Sequence, residues 1–570
     1  MPRATALQAT FARGELSPQT KGRVDLPIYF QGCETLENFT TRPEGGAIRR
    51  SGTRFVRKPK YEGARYVRLI AIEIADGLAY VLEVGHEYIR FLRDHGWEVD
   101  DEDAVYELAS PYTEDDLDDI KVTQSAEGVY LVHPAWAPRV LTRKGPADWT
   151  LEVLDFLDGP YLDANTTETT LTSSATTGAV TVTAAAVTGI NDGQGFLSTD
   201  SGRVIRLKQG STWGWGVITA VGSTTSVTVN VREAFGAATA TKDWRLGAWS
   251  ETTGWPTVTT FFQERLAFAA TEEQPDTVWL SQVSDLQIFS PSETDGTVND
   301  DNAVTYTIAD DRINTIYWMS AQQELAIGTL SGEFALDGGA QGQPVTPTTI
   351  RVTRQTTNGS AKLVAPVRVG HSLLFLQRAS RKLREFVFDF DIRGFIAADL
   401  TRAASHVTRG GVFAMAYVQE PDSIVWASRG DGLLIGMTYD VDEGAFAWHR
   451  HFLGGTYDGG NAVVESVAAI PTPDGAANEL WMVVVRTING ATARTIEYLE
   501  QPFQADPSLP PTERMKAAYF VDCGLSHDGE PAQSFGGLAH LEGETVQVMA
   551  DGAVHPDVVV SEGEITLTRP

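Results

Sequence analysis

The chain has 570 residues, 42% of them hydrophobic and 21% charged, which excludes a disordered chain and is too long for a single compact core. A formal net charge of −30 argues against a protein that grips nucleic-acid phosphates over its surface, but not against a channel through which DNA slides. Two cysteines, Cys33 and Cys523, exclude a disulfide framework and a cysteine metal cluster.

Met1 to Thr10 holds no apolar core of a secretory signal. No apolar run reaches the roughly 18 residues of a membrane-spanning helix. These features predict a protein made in a cytosol, with no membrane span.

Residues 1–62 read as an irregular basic arm. Turn formers such as Ser17-Pro18 and Pro43-Glu44-Gly45-Gly46 break the apolar pattern. From Arg42 to Arg68 there are nine Lys or Arg against two Glu. Such an arm on an acidic protein is expected to lie against its own body, a neighbouring subunit or nucleic acid.

From residue 63 a unit recurs: a mainly apolar strand, a polar turn, and a second strand that often carries an aromatic. Tyr66 to Trp97 is the first and Lys121 to Leu154 the second, both within 63–160. Residues 248–505 hold five more, at Arg265 to Leu280, Glu324 to Leu336, Ser372 to Phe388, Ser423 to Trp448 and Glu479 to Leu499. Units of roughly 40 residues with several strands are the mark of propeller blades, which need repetition to bury both faces. Packed sandwiches would give a similar pattern. The short stretch Tyr112 to Lys121 has helical character.

Residues 161–247 interrupt the repeats. A Thr- and Ala-rich stretch, Thr166 to Val187, precedes period-two runs at Gly202 to Leu207, Gly216 to Val221 and Ser226 to Val231. This predicts a small inserted β-barrel or sandwich. Residues 506–570 form a C-terminal β segment, with a meander expected from Val546 to Ala550, Val558 to Val560 and Ile565 to Leu567. The fold class is therefore all-β: a β-propeller-like body, an inserted β module and an irregular N-terminal arm.

Candidate chemistry is sparse. The chain holds no nucleophile elbow, no phosphate-cradling loop and no zincin helix at His86-Glu87. His449 and His451 alternate along a predicted strand, so they share a face and fit either two metal ligands or two imidazoles at a surface or subunit contact. Asn299-Asp300-Asp301-Asn302 and Asp310-Asp311 fit either a Ca²⁺ loop or solvated turns. Val99 to Ile120 has ten Asp or Glu and no base, which fits a solvated face better than the paired carboxylates of a glycosidase. The 13 Trp fit core fillers or sugar-stacking platforms. No catalytic residue, metal or cofactor is assigned.

The N-terminal string is specific. Phe11-Ala12-Arg13-Gly14-Glu15-Leu16-Ser17-Pro18 leads to Gly22-Arg23-Val24-Asp25-Leu26, Tyr29, Gly32-Cys33, Leu36 and Asn38-Phe39, then to Gly45-Gly46 and Arg49-Arg50-Ser51-Gly52-Thr53-Arg54-Phe55. It resembles the opening of phage tail nozzle proteins, the tail tubular protein B family of short-tailed bacteriophages. Gly254-Trp255-Pro256, Gln263-Glu264-Arg265-Leu266 and Trp448-His449-Arg450-His451 continue the resemblance, which runs from about residue 8 to at least 455. It implies a structural ring, usually a homohexamer, that extends the DNA ejection channel below the portal and its adaptor in the distal tail of the virion. Tail fibres or spikes, a distal tip or needle protein and DNA passing without sequence-specific binding are the implied partners. The arm would then bridge subunits. The family is expected to run on past Pro570, where this chain departs from it. Two other classes stay open, a carbohydrate-binding or depolymerising propeller and a monomeric host-factor-binding module.

Overall fold

The computed structural model describes residues 8–568, apart from 43, 76, 341, 443, 505 and 506. The fold is all-β with a propeller-like body. Among the described residues, six four-stranded sheets and one five-stranded sheet are antiparallel, and five of the seven join strands strictly in sequence order, the five-stranded one departing only where Glu107–Ala109 pairs back onto Tyr88–Arg93. Each of the seven recurring units falls in its own sheet.

The chain divides into two compact units, residues 1–118 with 363–570, and residues 119–362. In the first, the sheet of residues 68–97 packs on the sheet of residues 463–499 through Val81, Leu92, Trp481 and Val483, all nearly free of solvent exposure. That sheet packs in turn on the one at 412–451 through Trp426, Val464, Met482 and Val484. Strands of this kind are buried on both faces, which is why Leu480 to Val485 is a continuous apolar run and not an alternating one. The second unit repeats the scheme. Residues 121–153 and 258–307 share a core around Phe268, Trp279 and Phe289, and residues 258–307 and 316–356 share another around Leu280, Ile327 and Leu336.

The other departure from sequence order bears on the arm. Thr53–Arg57 pairs antiparallel with Ala491–Leu499 and completes the sheet whose other strands are Val463–Pro471 and Asn478–Ile488. The sequence reading placed this strand in an irregular arm. Its apolar content is only Phe55 and Val56 beside Thr53, Arg54 and Arg57, too little for periodicity to register. A hairpin, Phe39–Thr41 with Ala47–Arg49, lies in the same arm.

The insertion is a barrel. Its six strands between Leu171 and Leu246 run in one sheet, and the sheet closes on itself where Leu171 pairs with Thr241. Inward residues Val180, Val182, Ile218, Val227 and Val229 alternate with outward-facing neighbours, mostly Thr and Ser, as the pleat requires, and Ile205 and Leu207 join them in the core. At one end Arg203 and Asp200 form an ion pair of 2.8 Å with neither side chain exposed.

Two further expectations change. Tyr112 to Lys121 carries a 3₁₀ turn, Glu114–Asp119, and the α-helix of the described residues is Pro511–Lys516. At the C-terminus Thr545–Ala550 and Ala553–Val559 form a hairpin, but Ile565–Thr566 pairs with Ser534–Phe535 instead of extending a meander. Pro570 lies outside the described residues.

Breaking a buried pair costs more than the pair contributes, because one charge is left uncompensated. Arg203→Leu is expected to destabilise the barrel by about 3–5 kcal/mol, seen as an earlier denaturant transition and as new proteolytic cuts confined to residues 161–247.

Candidate functional site

Most of the signature residues converge on one structure in the first unit, a clasp that fastens the arm to its own chain. Gly14 and Glu37 each form a parallel bridge with the strand Ala445–His451, at Trp448 and Arg450. The backbone carries the contact. The Glu15 amide donates to the Trp448 carbonyl at 2.8 Å, and the Asn38 amide donates to the Arg450 carbonyl at 2.8 Å. Gly14 has φ +58, and a Cβ there would stand 2.4 Å from the Trp448 carbonyl oxygen. Glycine is required here both for its conformation and for the close approach.

Glu15 anchors the clasp. It is fully buried. His406 Nε2 lies 2.6 Å from Oε1, Arg450 reaches the two oxygens at 2.9 and 3.0 Å, and the Leu36 amide donates at 2.9 Å. Burial pushes the carboxyl up, but the hydrogen bonds from His406, Arg450 and Leu36 outweigh it and hold the group below its ordinary value. Arg13 lies over the Phe446 ring. Leu16 is buried, and Ser17 caps the turn that follows by accepting from the Gln19 amide. Trp448 donates its indole N–H to the Leu400 carbonyl.

The far side of the arm is held by the C-terminal segment. Arg50 makes a bidentate pair with Asp522 at 2.7 and 2.9 Å, its side chain 6% exposed. Burial opposes the Asp522 charge, and the Arg50 guanidinium still holds that carboxyl low. A Cβ on Gly52 would meet the Val521 carbonyl oxygen at 1.9 Å. Arg54 pairs with Glu500 and stacks its guanidinium over Tyr519 at 4.0 Å. Arg49 lies over Phe520. Asn38 has φ +57 and accepts from the Phe452 amide. Gly45 has φ +95, with Thr10 where a Cβ would go.

Other signature positions contribute less. Arg23 and Asp25 form an exposed ion pair, worth little in water. Tyr29 packs edge-on against Phe30, and Gly46 has open space around it. In the second unit Trp255 packs on the core around Phe268, and Pro256 is buried.

Of the surfaces expected to take the arm, its own chain is one that does: described residues between Gln8 and Arg57 dock on the strand Ala445–His451, on Ala403 and His406, and on the segment at 519–524. The partners that do this, Ala403, His406, Tyr519 and Asp522, have no local signal in the sequence. They acquire meaning only beside Ser17, Glu15, Gly52 and Arg50.

The structure also decides the candidate metal sites. His449 and His451 do share a face of their strand, but both are buried and their rings bond each other, Nδ1 to Nε2, at 2.6 Å. One lone pair is therefore used by the neighbouring N–H. Burial pushes His449 down to about 3 and His451 well below the usual range, so both are neutral. Among the described residues no group of three or more His, Cys, Asp or Glu is placed to hold a metal. In the second unit the loop Asn299 to Asn302 turns its carbonyls onto buried Arg265, which donates to Asp300, Asp301, Asn302, Ser281 and Val345. The backbone oxygens of the loop are thus taken by a guanidinium, and Asp300 and Asp301 are themselves exposed, as in a solvated turn. Asp310 and Asp311 both pair with Arg354.

No family model matches the sequence, and no curated protein matches it. Solved structures similar to the chain include a protein from Lactobacillus plantarum (11% identity, 55% of this chain and 86% of that one, TM-score 0.26). Others are the β-propeller domain of Myceliophteria_thermophila Cps50 (Swd1) (11%, 52% and 89%, 0.26) and the WD40 domain of Neurospora crassa Pan2 (7%, 67% and 88%, 0.29). Similarity this low says nothing of function.

Both groups have a sign for pH. A neutral buried His with its value pushed below the ordinary 6.5 contributes stability that is lost as pH falls from about 6.5, because only the unfolded chain takes up the proton. Glu15, held below 4.5, contributes stability that is lost further down, as pH falls through its folded value. Replacing both imbidazole carriers, His449→Leu with His451→Leu, is expected to flatten the upper part of the acid slope in melting experiments, and Glu15→Gln the lower part. Glu15→Gln is also expected to cost about 3–5 kcal/mol at neutral pH by leaving Arg450 with a weakened partner. Adding EDTA is expected to leave the melting temperature unchanged.

Proposed function

We propose that the protein is a structural subunit of a tail nozzle in a short-tailed bacteriophage, a ring component that extends the DNA ejection channel and anchors neighbouring tail parts. The observation that carries this reading is the ordered string from Phe11 to Phe55, which resembles the opening of that family. Its least replaceable members, Gly14, Glu15, Arg50 and Gly52, have structural roles in the clasp. An arm committed to fastening its own chain suits a part that must hold shape under the load of DNA passage. The net charge of −30 suits a wall along which DNA moves without sticking.

In this role the partners are further copies of the chain, the portal adaptor above, fibres or spikes beside it and a tip protein below. No catalytic step is part of the reading.

The test is location. Gold-labelled antibody against the barrel, viewed on intact particles by electron microscopy, is expected to decorate the lower end of the tail around an axial hole. Protein absent from particles, or purified protein that cleaves a polysaccharide, would overturn the reading.

A further inference from the structure

The hairpin that joins Leu383–Asp389 to Gly394–Asp399 ends in an apolar tip. Phe390 is 81% exposed and Ile392 62%. The tip is shaped by the chain, since Asp389 Oδ1 accepts from the amides of Asp391 and Ile392. Phe390 packs edge-on against Phe388, Phe388 against Phe395, and Phe395 stacks on buried Phe386. A ladder of rings therefore supports the tip from the core outward. Among the described residues neither Asp391 nor Arg393 at this tip has an ion-pair partner.

Elsewhere in the same unit the clasp leaves a partly open cavity of about 40 Å³. Its walls include Ile48, Trp426, Leu480 and Leu499, and its lining includes Arg49 and Asp422. Arg49 has no ion-pair partner among the described residues. Asp422 Oδ2 is buried with no hydrogen-bond partner among them.

We infer that the tip of one copy seats in the arm cavity of a second copy, with Ile392 entering and Phe390 covering the mouth. Size decides which side chain enters. An aromatic ring needs a cavity on the order of 150 Å³, whereas 40 Å³ takes the end of one aliphatic side chain. Charge sets the direction, with Asp391 meeting Arg49; Asp422, which lies in the field of the chain's own Arg42, takes no part in it. The two surfaces differ, so the contact is head-to-tail, and repeated it closes a ring or runs on as a filament. One tip is far smaller than the roughly 800 Å² per partner of a stable pair, so the contact gains strength from closure and not from area. The inference does not rest on the virion reading.

The experiment is sedimentation of the purified full chain across micromolar concentrations. Wild type is expected to associate. Phe390→Ser with Ile392→Ser, on the exposed tip, is expected to weaken association at least about tenfold (1.4 kcal/mol) with an unchanged melting temperature. Asp391→Arg and Arg49→Asp are each expected to weaken it, and the two together in one chain to restore it, which a merely structural role would not do. A wild type that stays monomeric, a tip variant that associates as wild type does, or a charge swap that fails to restore association would each overturn the contact. Wild type that is monomeric but loses binding to neutral phosphatidylcholine vesicles on tip replacement would also overturn it and assign the tip to a bilayer. A monomer found at the tail would sink this contact and leave the nozzle reading standing, and a tip-dependent oligomer absent from particles would do the reverse.

Discussion

A sheet with an open edge must be given a partner, and here the partner comes from the opposite end of the chain. Thr53–Arg57 lies against Ala491–Leu499, so the last sheet gains its fourth strand only from the early part of the chain. Thr53 also turns its hydroxyl onto buried Glu497, which pairs with Arg486. Burying these three groups is costly unless all are present. The strand therefore completes both a hydrogen-bonded ladder and a polar network, and removing it would leave both unsatisfied.

The rest of the arm follows from that fixed point. Once residues 53–57 are held, the preceding residues pass between the strand Ala445–His451 and the segment at 519–524. Both offer backbone groups, and the arm answers with backbone groups of its own. Such close seams leave no room for side chains, which explains glycine at 14 and 52. They also explain why the charged residues of the arm are buried in pairs. Glu15 with Arg450 and Arg50 with Asp522 remove opposite charges from water together, at the places where the chain crosses itself.

This arrangement changes what a basic arm means. The excess of Lys and Arg between residues 42 and 68 reads as a surface for an acidic partner, and part of that partner is the protein's own C-terminal segment. Arg50 and Arg54 are matched by Asp522 and Glu500. Arg49 is not matched in this way, and with Asp422 it leaves a small charged and apolar hollow beside the clasp. In the second unit the same economy appears at Arg265, where backbone carbonyls do the work of a carboxylate.

The sequence by itself determined the class of structure. Short apolar runs broken by turn residues located all seven sheets, because each is built mainly from neighbouring strands and local pattern is enough to show those. Period-two alternation from Val204 onward marked the inserted barrel for the same reason. The two histidines were legible as a pair on one face. What that pair does was not, since whether imidazoles face a metal, solvent or each other depends on burial. The run Asn299 to Asn302 was legible as a Ca²⁺ loop or a solvated turn, and the choice was not, because the partner of its backbone carbonyls, Arg265, lies beyond the loop. The closing strand, the clasp and the cavity were decided only by tertiary structure, because each joins residues hundreds of positions apart, and no periodicity of a chain records which of its distant segments will meet.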